Sequence, residues 1–208
     1  MRAETFCPAA AAQAARILDE RGRRRVKREL EEARELDPQA GICVVRVDDL
    51  DTTARNPSVY ATFRGPAASR CYEDGTFAVQ VCYGSRYPFK PPYVRFTHQM
   101  FHPNVSANGR MIDWTKLGED WHPGWTLSKL LVELRSYIGD TRCDVHGMCT
   151  TEDPPPTTFR GLTLAEGGGQ KVYVVGHEAA SAFLTDRDMA EVKARAHTLK
   201  HARGHVFD

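Results

Sequence analysis

The amino-acid sequence predicts an α+β domain in which helices pack on one antiparallel sheet. Four short runs rich in β-branched and aromatic residues follow one another between residues 42 and 96. Sequence with apolar residues at helical spacing precedes these runs and follows them. The resulting order is one helix, four strands, an irregular region and two or three further helices. A chain of 208 residues is long enough for one such domain with appendages.

The segment from Ala9 to Leu36 consists mainly of strong helix formers and predicts the first helix. Val26, Leu30 and Ala33 fall on one side of this helix, and basic residues surround them on the others. Asp37-Pro38 ends the helix because proline cannot continue its hydrogen-bond ladder. We therefore expect an amphipathic helix.

Turn-forming pairs such as Asn56-Pro57 and Asp74-Gly75 separate the strands, so the strands are expected to form an antiparallel meander. The predicted strands are Ile42 to Val47, Val59 to Phe63, Phe77 to Tyr83 and Tyr93 to Phe96. In the third strand, large apolar residues alternate with Ala78, Gln80 and Cys82. This period of two residues predicts a sheet with one buried face.

After the strands, Thr126 is a candidate N-cap for a helix with one buried face. The apolar stripe of that helix is Leu127, Leu130, Leu131, Leu134 and Ile138. Residues 139–176 contain three prolines and three glycines in runs, with one β-like run from Val172 to Val175, and predict a long insertion or loop. Two helices should follow, a short one around Phe183 and a longer one from Asp188 to Leu199. The stripe of the longer helix is Met189, Val192, Ala196 and Leu199.

We expect residues 21–202 to form a single domain, with residues 1–20 as a helical N-terminal extension, residues 139–176 as an insertion and residues 203–208 as a tail.

The 28 basic and 27 acidic residues give a net charge of +1, which argues against nucleic-acid or membrane-surface binding. No apolar run approaches the length of a membrane span, and the start lacks the order of a secretory signal. With six scattered cysteines, we expect a reduced protein of the cytoplasm or nucleus that binds other proteins.

Several motifs together resemble the ubiquitin-conjugating enzyme family, over residues 22–138 and 177–202. They are Arg25 to Leu30, Tyr87 to Pro92, His102-Pro103-Asn104, Asn108-Gly109-Arg110, Asp120 to Pro123, Thr126 to Leu131 and Leu184 to Asp188. Such motifs in this order are far more specific than one proline-rich hexamer. The resemblance implies the UBC-like fold of that family and ubiquitin or a related modifier as a partner.

The resemblance also implies a surface that docks on ubiquitin ligases. Carried over to this chain, this ligase-facing surface consists of Arg24, Arg25, Arg28, Phe89 and Pro123. From the residues alone, Phe89 could equally pack at the sheet edge, and a charged helix face is usually only solvated.

The His102-Pro103-Asn104 motif has both a chemical and a structural interpretation. An Asn amide donates two hydrogen bonds, so Asn104 could stabilise an oxyanion during acyl transfer or hold a neighbouring loop. The resemblance credits this Asn with one or both roles, and the His with fixing the turn. Both residues could also be turn residues only.

The catalytic cysteine of the family is replaced in this chain. The family carries ubiquitin as a thioester on a cysteine shortly after the Asn, and the matching residue here is Ile112. Isoleucine has no lone pair that could attack a thioester. Thr115 lacks an adjacent base, and no cysteine lies between Cys82 and Cys143. We therefore expect a non-catalytic variant, without cofactor, that binds ubiquitin, an active conjugating enzyme or a ubiquitin ligase.

Three alternatives remain at this point. An active enzyme could use a relocated nucleophile, Cys143 or Cys149, whereas Cys82 reads as a buried thiol of a strand. Cys143, His146 and Cys149 resemble a metal cluster, but a second ligand pair is not evident, so we expect no metal. The proline run from residue 154 to residue 156 could serve as a ligand for a small recognition domain, with the folded part only a scaffold.

Overall fold

The computed structural model describes residues 17–34, 41–51, 56–105, 121–141, 148–150, 164–167, 170–174 and 177–202. The helices within these ranges are α1 (Glu20–Arg34), α2 (Leu127–Gly139), α3 (His177–Thr185) and α4 (Arg187–His201). The strands are β1 (Ile42–Asp48), β2 (Ser58–Arg64), β3 (Thr76–Cys82), β4 (Tyr93–Phe96), β5 (Met148–Thr150), β6 (Leu164–Gly167) and β7 (Gln170–Val174). None of the helices described is both long and apolar enough to cross a membrane.

The first helix begins at Glu20, and the expectation of one continuous helix from Ala9 is wrong at residues 17–19. The Asp19 carboxylate accepts a hydrogen bond from the Gly22 backbone N–H at 2.7 Å and caps the helix. The Leu18 N–H donates to the Asn56 side chain at 2.7 Å instead of entering a helical ladder. The rest of the expected N-terminal helix, residues 1–16, and its predicted end, residues 35–37, lie outside the described residues.

The four predicted strands are confirmed as an antiparallel sheet with the order β1-β2-β3-β4. Val59 of β2 pairs with Val81 of β3, and Val79 of β3 pairs with Phe96 of β4. The register of β1 shifts between Val44 and Arg46, so Val45 is left over as a bulge. The sheet therefore has the meander connectivity that its short turns predict.

The expectation that β3 buries only one face is wrong, because Ala78 and Gln80 on its other face are also fully buried. Two hydrogen bonds offset the cost of burying the Gln80 amide. It donates to the Tyr60 hydroxyl at 2.9 Å and accepts from Arg95 Nε at 2.7 Å. The Arg46 guanidinium lies over the Tyr60 ring, 4.1 Å from its centroid. Long polar side chains thus cover the outer face of the sheet.

The apolar face of α2 is confirmed as the part of the core that packs on the inner face of the sheet. All five residues of its predicted stripe are buried. The Thr126 side chain accepts a hydrogen bond from the Lys129 backbone N–H at 3.4 Å, as expected of an N-cap.

The segment expected to be an insertion, residues 139–176, holds more regular structure in its described parts than the sequence predicts. Three of its segments form an antiparallel sheet with the order β5-β7-β6. The single β-like run expected at Val172 to Val175 corresponds to β7, and the two strands paired with it replace the expected loop.

The two C-terminal helices are confirmed, but the expected packing face of α4 is wrong. Met189 and Val192 are both 63% exposed, whereas Ala190, Ala194 and Thr198 are buried. Small residues face inward because α4 approaches the sheet closely: a Cβ at Gly75 would lie 2.6 Å from Thr198 Cγ2. Large side chains on that face would prevent this approach, so they point outward.

Candidate functional site

The segment that links β3 to β4 holds Phe89 in solvent. The Tyr87-Pro88 peptide is cis, and the chain turns here through hydrogen bonds from Tyr87 N to Gly84 O and from Lys90 N to Arg86 O, both 3.0 Å. The Phe89 side chain is 78% exposed, so it does not pack at the sheet edge. The prolines on both sides restrict the backbone of this turn, so the exposed Phe89 ring is carried on a segment of limited conformational freedom.

Beneath this turn, one buried carboxylate joins three parts of the fold. Glu29 on α1 is 1% exposed. Its Oε1 accepts from Arg25 Nε at 2.6 Å, and its Oε2 accepts from the Tyr87 hydroxyl at 2.5 Å and from the Leu127 backbone N–H at 3.2 Å. We call Arg25, Glu29 and Tyr87, together with the Leu127 N–H, the Glu29 network. It connects the first helix, the Phe89 turn and the start of α2.

The Glu29 carboxylate raises the pKa of both of its side-chain partners, Arg25 and Tyr87. Burial lowers the pKa of Arg25, but the hydrogen bond and the charge of Glu29 outweigh it, so the Arg25 pKa is raised. Burial is the largest cause that raises the pKa of Tyr87 well above its usual range, and the neighbouring Glu29 carboxylate raises it further. The network therefore contains a fixed ion pair and a phenol that stays protonated as a donor.

Two tryptophans brace the same region from the loop before α2. Trp121 Nε1 donates to the Pro88 carbonyl at 2.8 Å, and its ring centroid lies 5.6 Å from that of Trp125. Arg25 reaches across to donate to the Trp125 carbonyl at 2.9 Å. The Phe89 turn and the loop before α2 are therefore fixed relative to each other.

Glu29, Tyr87 and Trp121 belong to this site although none of them was among the predicted site residues. A detectable signal existed for Glu29, since it is three residues after Val26 and next to Leu30 on the apolar side of α1. A carboxylate in such a stripe indicates a buried polar partner. Tyr87 and Trp121 lie in two motifs of the family resemblance, Tyr87 to Pro92 and Asp120 to Pro123, but their spacing in the sequence does not indicate the contacts that they make.

The five residues expected to form a ligase-facing surface differ in their exposure. Arg24 is exposed and pairs with Glu20 at 2.8 Å, and Arg28 is exposed on the same helix. Pro123 is half-buried beside the tryptophans. Arg25 points inward to the Glu29 network, so it positions the surface rather than forming its outer part. Arg24, Arg28 and Phe89 remain the accessible members.

The His102-Pro103-Asn104 motif forms a buried turn that follows β4 in the chain and packs against the C-terminal end of α2. His102 is fully buried, and its Nδ1 accepts from the Asn104 backbone N–H at 3.0 Å. The Asn104 side-chain amide donates to the Asp140 carbonyl at 3.3 Å, and the Asn104 carbonyl accepts from the Tyr137 hydroxyl at 2.9 Å. The His102 ring also stacks on Tyr137, with centroids 6.0 Å apart. The motif thus attaches the turn after β4 to the C-terminus of α2.

Comparison with known proteins decides the family. Residues 25–145 match the family model described as ubiquitin-conjugating enzyme. The chain belongs to the ubiquitin-conjugating enzyme family. One relative, "Ubiquitin-conjugating enzyme E2 2" of Trichoderma harzianum, is 36% identical over 118 residues, which is 57% of this chain and 73% of that protein. The α+β architecture described above is consistent with the fold of this family.

The thiols of this family member fall into two groups. Within the described residues, Cys71 and Cys82 are buried and Cys43 is exposed. Cys82 accepts from the Ser58 hydroxyl at 3.4 Å, as expected for an inert thiol inside a sheet, and burial raises the pKa of Cys71 to about 11. Ile112 and Cys143 lie outside the described residues, and Cys149 is in β5.

The described residues were compared with the ligand sets that metal ions need. No group of three or more His, Cys, Asp or Glu residues in the described ranges could hold a metal ion. Two members of the sequence cluster considered above, Cys143 and His146, are outside those ranges. The expectations that this cluster binds no metal and that the chain uses no cofactor stay predictions.

Proposed function

We propose that this chain is a non-catalytic member of the ubiquitin-conjugating enzyme family, acting in the cytoplasm or nucleus, that binds a ubiquitin ligase through its ligase-facing surface. The observation that carries the proposal is Ile112 at the position where the family has its cysteine. An aliphatic side chain cannot accept ubiquitin from an activating enzyme, whatever its surroundings. The exposed ring of Phe89 on a braced turn supports the binding role.

A thioester assay with an engineered cysteine tests the catalytic half of the proposal. The chain is incubated with activating enzyme, ATP and labelled ubiquitin. We expect the wild type to form no adduct, and the Ile112→Cys variant to form one that a thiol reductant removes. Ile112→Ser is the matched control, because a serine adduct is an oxyester that resists the reductant.

One result would reject the non-catalytic role, and another would reject the assignment of position 112. A reductant-sensitive adduct on the wild type would favour an active enzyme, and Cys143→Ser and Cys149→Ser would then locate its nucleophile. Failure of Ile112→Cys to form a thioester, in a variant that unfolds like the wild type, would show that position 112 does not correspond to the family's cysteine.

Partner capture tests the binding half. Immobilised chain is offered free ubiquitin, active conjugating enzymes and ligase RING domains, and each is scored separately. We expect capture of a ligase and at least about a tenfold loss of affinity in Phe89→Ala, as for an aromatic anchor residue. Met189→Ala, which removes another exposed apolar side chain, is the matched control. Equal losses in both variants would contradict a specific role of Phe89.

We also propose that residues 139–176 are an insertion in a single domain of residues 21–202. Removal of residues 150–170 tests whether the proline run binds the partner. We expect ligase capture to persist, because the ligase-facing surface belongs to α1, the Phe89 turn and the loop before α2. Loss of capture in a folded deletion variant would transfer the binding role to the insertion.

A further inference from the structure

Two histidines near the end of α4 stand one helical turn apart. His197 and His201 have the i, i+4 spacing that places side chains on the same face of a helix. Their ring centroids are 4.4 Å apart, with 36° between the ring planes. Both side chains are half-buried, so their rings are partly confined while solvent still reaches them.

The spacing of the rings matches that of two imidazoles on one metal ion. Imidazole nitrogen binds zinc at about 2.1 Å, and the ring centroid lies roughly 1.1 Å behind that nitrogen, so each centroid would be about 3.2 Å from the metal. Two such rings have centroids about 4.5 Å apart when they occupy neighbouring positions of an octahedral or square-planar ion, and about 5.2 Å apart on a tetrahedral ion. The observed 4.4 Å places the two rings close enough to bind one ion once side-chain rotation turns a nitrogen of each ring toward it.

The surroundings of the pair both restrict the rings and set the charge that a metal would meet. The His197 ring lies 6.5 Å from the Phe101 ring between centroids, and Lys193 Nζ lies over the Phe101 ring, 4.5 Å from its centroid. Lys193 is paired with Glu178 on α3, which offsets its charge. Lys200 is a further cation in the last turn of α4, while the C-terminal end of the helix dipole favours a cation there.

We propose that His197 and His201 form a chelating site for a late first-row divalent metal ion, of the class of Zn²⁺, Ni²⁺ and Cu²⁺, with water in the remaining coordination positions. Two neutral imidazoles suit these ions, whereas Mg²⁺ and Ca²⁺ prefer oxygen ligands. Because the second nitrogen is already in place when the first binds, the pair should bind much more tightly than either residue alone. This site is separate from the ligase-facing surface and does not depend on the proposed function.

Calorimetric titration of NiCl₂ into the full-length, tag-free chain tests this site. The titration uses the Cys143→Ser/Cys149→Ser background, so that cysteines of the insertion cannot supply the ligands. We expect one Ni²⁺ per chain, and at least about a tenfold weaker affinity in His201→Gln. MgCl₂ should give no binding heat. The matched control is His122→Gln, which removes an exposed histidine in the loop before α2 and should leave the affinity unchanged.

A second readout separates loss of the site from loss of the fold. Bound metal should raise the midpoint of thermal unfolding of the wild type but not that of His201→Gln, with equal midpoints when metal is absent. Two outcomes would overturn the proposal: equal Ni²⁺ affinity in the wild type and His201→Gln, or no binding to the wild type up to about 1 mM NiCl₂.

Discussion

The Glu29→Gln substitution should destabilise the fold strongly although it changes neither shape nor volume. Glu29 Oε2 accepts from both Tyr87 and the Leu127 N–H, and Oε1 accepts from Arg25. A glutamine can place its oxygen on only one side, so its NH₂ group must face a donor on the other. Breaking a buried ion pair in this way costs about 3 kcal/mol of unfolding free energy.

Urea unfolding followed by tryptophan fluorescence measures this cost, because Trp121 and Trp125 lie beside the Glu29 network. With a denaturant slope of about 2 to 3 kcal/mol per molar, the midpoint should fall by roughly 1 to 1.5 M urea. Glu32→Gln, an exposed change on the same helix, is the control and should shift the midpoint by less than about 0.3 M. A Glu29→Gln shift as small as that of the control would refute the reasoning.

Three further changes test other parts of the structure. Thr126→Ala removes the N-cap of α2 and should lower the unfolding free energy by about 1 kcal/mol in the same urea experiment. Gly65→Ala should prevent stable folding, since its Cβ would lie 1.7 Å from the Tyr72 carbonyl oxygen, and circular dichroism would show the loss of structure. Iodoacetamide at pH 8 should alkylate exposed Cys43 but not Cys71, whose pKa of about 11 keeps it a buried thiol until urea unfolds the chain. Mass spectrometry of the peptides that shows equal labelling of the two cysteines would contradict the burial.

The sequence predicts the strands and α2 well because their patterns reflect burial against one sheet. Leu127, Leu131 and Leu134 repeat at the spacing of a helix, and all are buried in the structure. The β2–β3 pairing follows from short turns between β-branched runs. In these elements, local preference and tertiary packing favour the same conformation.

The sequence fails where packing decides between two local solutions. Alpha4 has an apolar stripe containing Met189 and Val192 and a second face of small residues containing Ala190, and hydrophobicity alone favours the wrong one. The close approach at Gly75 selects the small face, and only the tertiary structure reveals it. The burial of Gln80 likewise depends on a partner from β4, Arg95, that no local pattern indicates.

One part of the candidate site could be predicted from the sequence, and another part could not. The turn that exposes Phe89 follows from the prolines around it, which restrict the backbone and remove donors. The Glu29 network, in contrast, joins Glu29 to a backbone group 98 residues later in the chain. Such a contact exists only after the first helix and α2 have packed together, so sequence spacing could not predict it.

The retained His102-Pro103-Asn104 motif is compatible with a missing nucleophile because its contacts stabilise the fold. Asn104 uses its side-chain amide on the Asp140 carbonyl and its own carbonyl on the Tyr137 hydroxyl. Loss of this side chain would remove its hydrogen bond to the Asp140 carbonyl at the end of α2, at a cost of about 1 kcal/mol. Stability alone is therefore a sufficient reason for the motif, in an active or an inactive protein. A nucleophilic cysteine differs, since it serves only the transfer reaction, and a chain that binds partners without carrying ubiquitin can replace it with isoleucine while keeping the turn.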